Sequence, residues 1–122
     1  PAELRGRQVL GMRSGFHLHD KIRALCEEHG ARFLSEYEGT SLDALRQMVG
    51  MGMGLTFLPA LYVQSEVTGR SDVAAVPLAG RPITRSIGLV WRERSGQVQV
   101  FEKIAAVMRE IAGKSCSGIT LE

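Results

Sequence analysis

The sequence predicts an α/β fold, a largely parallel sheet with helices packed on it. Strand-length apolar runs, Gln8–Met12 and Leu55–Leu58, alternate with segments whose apolar residues recur every three or four positions, as one face of a helix requires. Glycine and proline mark the boundaries between them. Strands that alternate with helices build layered, mostly parallel sheets.

The elements follow in order. Pro1–Gly6 reads as a short turn, and Gln8-Val9-Leu10-Gly11-Met12 has the length of a buried strand that Ser14-Gly15 breaks. Leu18, Ile22, Leu25 and Cys26 stand at i, i+4, i+7 and i+8, one face of a helix over Leu18–His29 with Gly30 in the C-terminal cap position. A strand over Arg32–Glu36 leads through Gly39 to Thr40-Ser41-Leu42-Asp43. There a hydroxyl followed three residues later by an acid resembles a capping box, and Leu42, Leu45, Met48 and Val49 continue as a helix. Gly50, Gly52 and Gly54 end that helix and tighten the turn into Leu55-Thr56-Phe57-Leu58, a second buried strand stopped by Pro59. A short helix is expected over Ala60–Ser65. Beyond a polar turn at Thr68–Ser71, Val73–Leu78 and Ile83–Arg92 read as strands, the second centred on Ile87–Trp91. Phe101, Ile104, Met108 and Ile111 define a last helix from Gly96 to Gly113.

A length of 122 residues suits one modest domain, and 44% hydrophobic with 23% charged residues excludes a disordered arm. The charge of +2, from 15 basic and 13 acidic residues interspersed along the chain, is too small for a nucleic-acid platform. Apolar runs such as Ile87–Trp91 fall far short of the roughly 20 residues of a membrane span, and no signal peptide precedes Arg5, so a soluble cytoplasmic chain is expected. Cys26 and Cys116 form neither a disulfide framework nor a CxxC pair. Residues 115–122 read as a disordered tail, with Leu121-Glu122 as a cloning scar.

Two stretches carry a family resemblance. Thr40-Ser41-Leu42-Asp43-Ala44-Leu45-Arg46-Gln47-Met48-Val49, followed by Gly52-Met53-Gly54-Leu55-Thr56-Phe57-Leu58-Pro59-Ala60, resembles the effector domain of LysR-type transcription regulators. Arg85-Ser86-Ile87-Gly88-Leu89-Val90-Trp91-Arg92 and the helix after it resemble the strand by which that family returns from its second lobe to its first. Arg5–Leu10, Gly15–Asp20 and Arg85–Gly88 are most similar to the OxyR-like branch of hydrogen peroxide-inducible genes activators. The resemblance implies a periplasmic-binding-protein-like effector domain. Residues 1–82 would be its second lobe, and residues 83–114 a return hinge strand and C-terminal helix belonging to the first lobe. It also implies a small-molecule effector, DNA contact only through an N-terminal domain preceding Pro1, no membrane, no cofactor, no catalysis, and a homodimer or higher homo-oligomer. The branch carries a peroxide-reactive cysteine after the first strand and a resolving cysteine nine residues later. His17 occupies the first position and Cys26 the second, so that disulfide is ruled out.

The candidate site residues each have a plain alternative. Phe16 and His17 stand in a loop at the end of a strand, where the cleft of an open α/β fold lies; His17 otherwise is a solvent-facing residue. His17, His19 and Asp20 are metal-ligand types, but no spaced partner cluster accompanies them, and a polar loop and helix N-terminus is the better account. Thr40 and Ser41 offer hydroxyls and backbone N–H groups to a small anion, or merely cap the helix. Arg85 pairs a ligand carboxylate or is a strand-edge charge. Cys26 is a redox candidate if exposed and a small core residue if buried. Three readings remain: an effector-sensing segment contacting its ligand near Phe16, His17, Thr40, Ser41 and Arg85; a redox sensor acting through Cys26 alone; and a stand-alone small-molecule-binding domain.

Overall fold

The computed structural model describes residues 2–69, 71–80, 83–116 and 119–121. It divides into two compact units, Pro1–Arg81 and Pro82–Glu122. The expected lobe boundary at residue 82 falls on residues 81 and 82, outside the described residues.

In the first unit a short 3-10 helix, Ala2–Leu4, precedes strand β1, Gln8–Met12. Helix α1, His17–His29, strand β2, Arg32–Gly39, helix α2, Leu42–Gly50, and strand β3, Leu55–Thr56, follow. A three-residue helix α3, Ala60–Tyr62, runs into a π-helical turn, Val63–Val67. The sheet has the order β2-β1-β3 with both pairings parallel, so the expected parallel α/β layer is present.

Central β1 explains why the unit is two-faced. Successive strand side chains point to opposite sides, and Val9 and Leu10 are both fully buried. Val9 packs with Ile22 and Cys26 of α1 and with Phe33, Leu55 and Phe57. Leu10 and Met12 pack with Leu34, with Leu45 of α2, and with Leu42, Met48 and Val49. The helices α1 and α2 therefore cover opposite faces. Leu10, Ile22, Leu45 and Val9 are the largest fully buried side chains, each contributing about 1.5–3 kcal/mol by removal from water.

Two glycines are dictated by geometry. Gly30 ends α1 at φ 65°, the left-handed conformation of a helix cap, with its N–H donated to the Cys26 carbonyl. A Cβ on Gly11 would overlap the ring of Phe33, which lies across β1 at that point. The β1–β2 register jumps there, from Val9↔Phe33 to Gly11↔Glu38, and the extra β2 residues Ser35, Glu36 and Tyr37 are exposed. Gly11→Ala is expected to lower stability by roughly 1–3 kcal/mol, the usual range for overpacking, as read from urea unfolding.

Several boundaries differ from expectation. β2 runs on to Gly39, because Arg13 N–H donates to the Gly39 carbonyl at 3.1 Å and extends the ladder. β3 is two residues long rather than four; past Thr56, Pro59 is close and no further ladder forms. Val73–Leu78 and Ile83–Arg92, both read as strands, form none. A strand exists only through a neighbour's hydrogen bonds, and Pro77 also lacks a donor. Val76 at 84% exposure and Val90 at 96% accordingly pack on nothing.

In the second unit helix α4, Val98–Ser115, begins two residues later than expected and ends two later. Ser115 thus belongs to the helix rather than the tail, of which residues 117, 118 and 122 lie outside the described residues. Trp91 meets Phe101 of α4 with ring centroids 6.0 Å apart. Among the described residues no helix is long and apolar enough to cross a membrane.

Candidate functional site

Parallel pairing puts the carboxyl ends of all three strands at one edge of the sheet. β1 and β2 are neighbours, and the helices that follow them go to opposite faces. In open parallel sheets the edge outside the carboxyl ends of the strands is where ligands settle, and the loops after β1 and β2 lie at that edge.

Four of the predicted site residues stand in these loops. Phe16 is the N-cap of α1 in extended conformation (φ −93°, ψ 133°) and is 42% exposed. His17 is the first residue of α1 and is exposed. Thr40 is exposed, and Ser41 is the N-cap of α2, its Oγ accepting the Ala44 N–H at 3.1 Å. The cap hydroxyl therefore comes from Ser41 and not from Thr40, because β2 still holds Gly39 and the helix starts one residue later. The Arg13 to Gly39 hydrogen bond ties the two loops at their roots. Arg85 lies in the second unit, exposed on an irregular segment.

His19 separates from its neighbours. It is buried (8% exposed), its Nδ1 lies 2.7 Å from the Met12 carbonyl, and its ring stands edge-on to Phe33 at 5.2 Å. Asp20 is exposed in the first turn of α1, where a carboxylate is favoured by the helix dipole. No group of three or more metal-ligating side chains comes together among the described residues.

Sequence reasoning missed a buried guanidinium. Arg46, 6% exposed on α2, donates from Nη1 to Asp72 at 2.6 Å and from Nε and Nη2 to Asp43 at 3.2 Å. Asp43 also accepts from the Tyr62 hydroxyl at 3.1 Å and from Gln47 Nε2 at 3.1 Å. Burial works to lower the Arg46 pKa, but the hydrogen bonds of Asp43 and Tyr62 and the charges of Asp43 and Asp72 outweigh it and hold the group above its ordinary value. Burial and Asp43 raise the Tyr62 hydroxyl likewise. The cluster fastens the first turn of α2 to α3 and to the turn at Asp72. The spacing Asp43, Arg46, Gln47 was a readable helix-surface signal; Asp72 was not. Asp72→Ala is expected to lower the unfolding midpoint more than Asp72→Asn, which keeps an acceptor for Arg46.

Cys26 is 2% exposed, and burial first and the neighbouring Glu27 second push its thiol above the ordinary range. A groove of about 470 Å³ opens beside Gln8, Arg32, Leu34, Glu36, Tyr37 and Met53, and none of the predicted site residues lines it.

A family model, the LysR substrate binding domain, matches residues 1–112. The chain is 37% identical over 108 residues to the DNA-binding transcriptional dual regulator OxyR of Escherichia coli (strain K12), covering 88% of this chain and 35% of that protein. It is 32% identical over 108 residues to the hydrogen peroxide-inducible genes activator of Haemophilus influenzae, covering 88% of this chain and 36% of the other. The transcriptional dual regulator GltC of Bacillus subtilis is 32% identical over 88 residues, 72% of this chain and 29% of its own length. The chain thus spans roughly a third of the length of the curated relatives it matches. No solved structure matches it.

Proposed function

The chain belongs to the LysR substrate-binding domain family, and from that premise we propose that it is the effector-sensing segment of a DNA-binding transcription regulator of the hydrogen peroxide-inducible kind, and not an enzyme. The observation that supports the reading is the position of Phe16, His17, Thr40 and Ser41 in the loops after β1 and β2, at the carboxyl edge of the parallel sheet. Ligands of open α/β sheets settle outside the carboxyl ends of strands. Helix N-termini there favour an anionic small molecule. Arg85 joins the set on the family resemblance alone.

In the finer reading, the fold is periplasmic-binding-protein-like. Residues 1–82 form its second lobe, and residues 83–114 return as a hinge segment and helix belonging to the first. The division of the chain at Arg81/Pro82 supports this. DNA contact belongs to a part of the regulator outside these 122 residues, in keeping with the third of the relatives' length that the chain spans and with a net charge of only +2. The regulator is a homo-oligomer whose arrangements the effector redistributes by binding one better than another.

His17 stands where the resemblance places the peroxide-reactive thiol. Low peroxide is therefore expected to leave the reduced chain without an intramolecular disulfide; a mass spectrum showing Cys26 bonded to another native cysteine overturns this. The effector reading is tested by a thermal-shift screen of the chain against small anionic metabolites and peroxide. A true effector stabilises with rising concentration, by about 2.7 kcal/mol at a hundredfold excess over Kd. The reading falls if the stabilising compounds act equally well on a Thr40→Ala, Ser41→Gly, His17→Ala chain.

A further inference from the structure

We infer that His19 is the positioning residue of the β1–α1 loop, gripping both ends of residues 13–18 so that Phe16 and His17 are presented at the carboxyl edge of the sheet. The inference deepens the effector reading and rests on it for its consequence, but its geometry stands in the first unit alone.

A buried carbonyl needs a donor. Leu10 and Met12, two residues apart on a strand, turn their carbonyls to the same side. The β1–β3 ladder ends at Leu10↔Thr56, and the Leu10 carbonyl is capped by the Thr56 hydroxyl at 3.0 Å. Met12 lies past that end. Its carbonyl is met by His19 Nδ1 at 2.7 Å, so an imidazole stands in for the strand residue that β3 does not supply. A carbonyl only accepts, so Nδ1 carries a proton.

The ring is held in turn. Phe33 meets it edge-on at an interplanar angle of 85°, and one edge of the Phe33 ring occupies the space a side chain at Gly11 would need. Gly11, Phe33, His19 and Met12 thus interlock. The backbone of the same residue closes the loop's other end, His19 N–H donating to the Phe16 carbonyl at 2.9 Å. One residue bonds the last residue of β1 through its side chain and the N-cap of α1 through its backbone. The sequence gives His17 and His19 the same chemistry two positions apart, and burial divides their work: His17 faces solvent and His19 the strand.

The test uses the 122-residue chain and no effector, so its failure and the failure of the effector reading are separate events. Side-chain ¹⁵N–¹H correlation spectra of the unmodified chain should show a proton on His19 Nδ1; the Nε2–H tautomer overturns the proposal without any variant. Carbethoxylation of His17 by diethyl pyrocarbonate, located by tandem mass spectrometry, reports how firmly the loop is held. His19→Ala and His19→Gln should speed it about fivefold, the effect on local opening of losing one buried hydrogen bond. His19→Asn should restore the parent rate, since an asparagine amide nitrogen sits where Nδ1 does while that of glutamine reaches the Nε2 position. Parent-like rates in all three variants, or fast rates in all three including asparagine, overturn the assignment, the latter by showing that ring packing alone holds the loop.

Discussion

Native Cys26 is expected to react with a thiol reagent at least about a thousandfold more slowly than the same residue in the urea-unfolded chain, because a site reached only through global opening is protected by a stability of several kcal/mol. Its sulfur lies in the cluster of Val9 and Ile22 between β1 and α1, at 2% exposure, so reagent meets it only after the helix lifts from the sheet. Chemistry adds to access. Burial and Glu27 both raise the thiol above its ordinary range, and the thiolate is the reacting form. The linkage has a definite sign. With the folded pKa raised, the unfolded thiol ionises first as pH climbs, so the contribution of Cys26 to stability is complete below the ordinary thiol range and is lost as pH rises through it toward the folded value. Cys116, partly exposed beyond α4, is the internal control and should label fast. Comparable native rates for the two cysteines would revive the reading of Cys26 as a solitary redox sensor. Slow labelling leaves Cys26 a core side chain of a LysR substrate-binding domain.

What the sequence made legible was local. The run Gln8–Met12 matched β1 residue for residue, and the spacing of Leu18, Ile22, Leu25 and Cys26 with Gly30 after it located α1 to within a residue. Periodicity and a left-handed cap are properties of a few adjacent residues, so they survive without knowledge of the fold. Features that depend on a distant partner did not. Val73–Leu78 and Ile83–Arg92 have strand-like composition, yet a ladder requires a neighbour that the composition cannot reveal. Asp72 meets Arg46 across 26 residues, and nothing in either local pattern points to the other. His17 and His19 looked equivalent because two residues on a helix's first turn differ only in which way the helix is rotated, and that rotation is set by Ile22 and Cys26 packing on Val9. The candidate site was legible as residue types in strand-end loops. Its organisation, with helices leaving β1 and β2 to opposite faces, needed the sheet order.

Leu45→Ala is expected to cost about 2–5 kcal/mol, the range for truncating a large aliphatic core side chain, and the same change should make a second, harmful substitution cheaper. Leu45 is fully buried among Leu10, Met12 and Leu34, so its removal leaves a void under α2. Its isobutyl group also presses on the backbone of Gly39: a Cβ built there would lie 2.6 Å from both Cγ and Cδ2 of Leu45, and 3.4 Å from the Ser41 carbonyl. Gly39→Ala in the parent must therefore displace a side chain that has nowhere to go, at roughly 1–3 kcal/mol for overpacking. Once Leu45 is alanine, the new methyl enters the void instead. A four-way cycle by urea unfolding should then show the double variant more stable than the sum of the single losses predicts, by about 0.5–3 kcal/mol, the coupling found for residues in contact. Strict additivity would mean that Leu45 does not abut Gly39. The contact matters beyond stability because Gly39 is the last residue of β2, with Thr40 and the N-cap Ser41 directly after it. Core packing under α2 thus sets where the Thr40 and Ser41 hydroxyls stand, and Gly39→Ala, which pushes at that junction while sparing both hydroxyls, is expected to weaken an effector's thermal shift in the parent and less so in the Leu45→Ala chain.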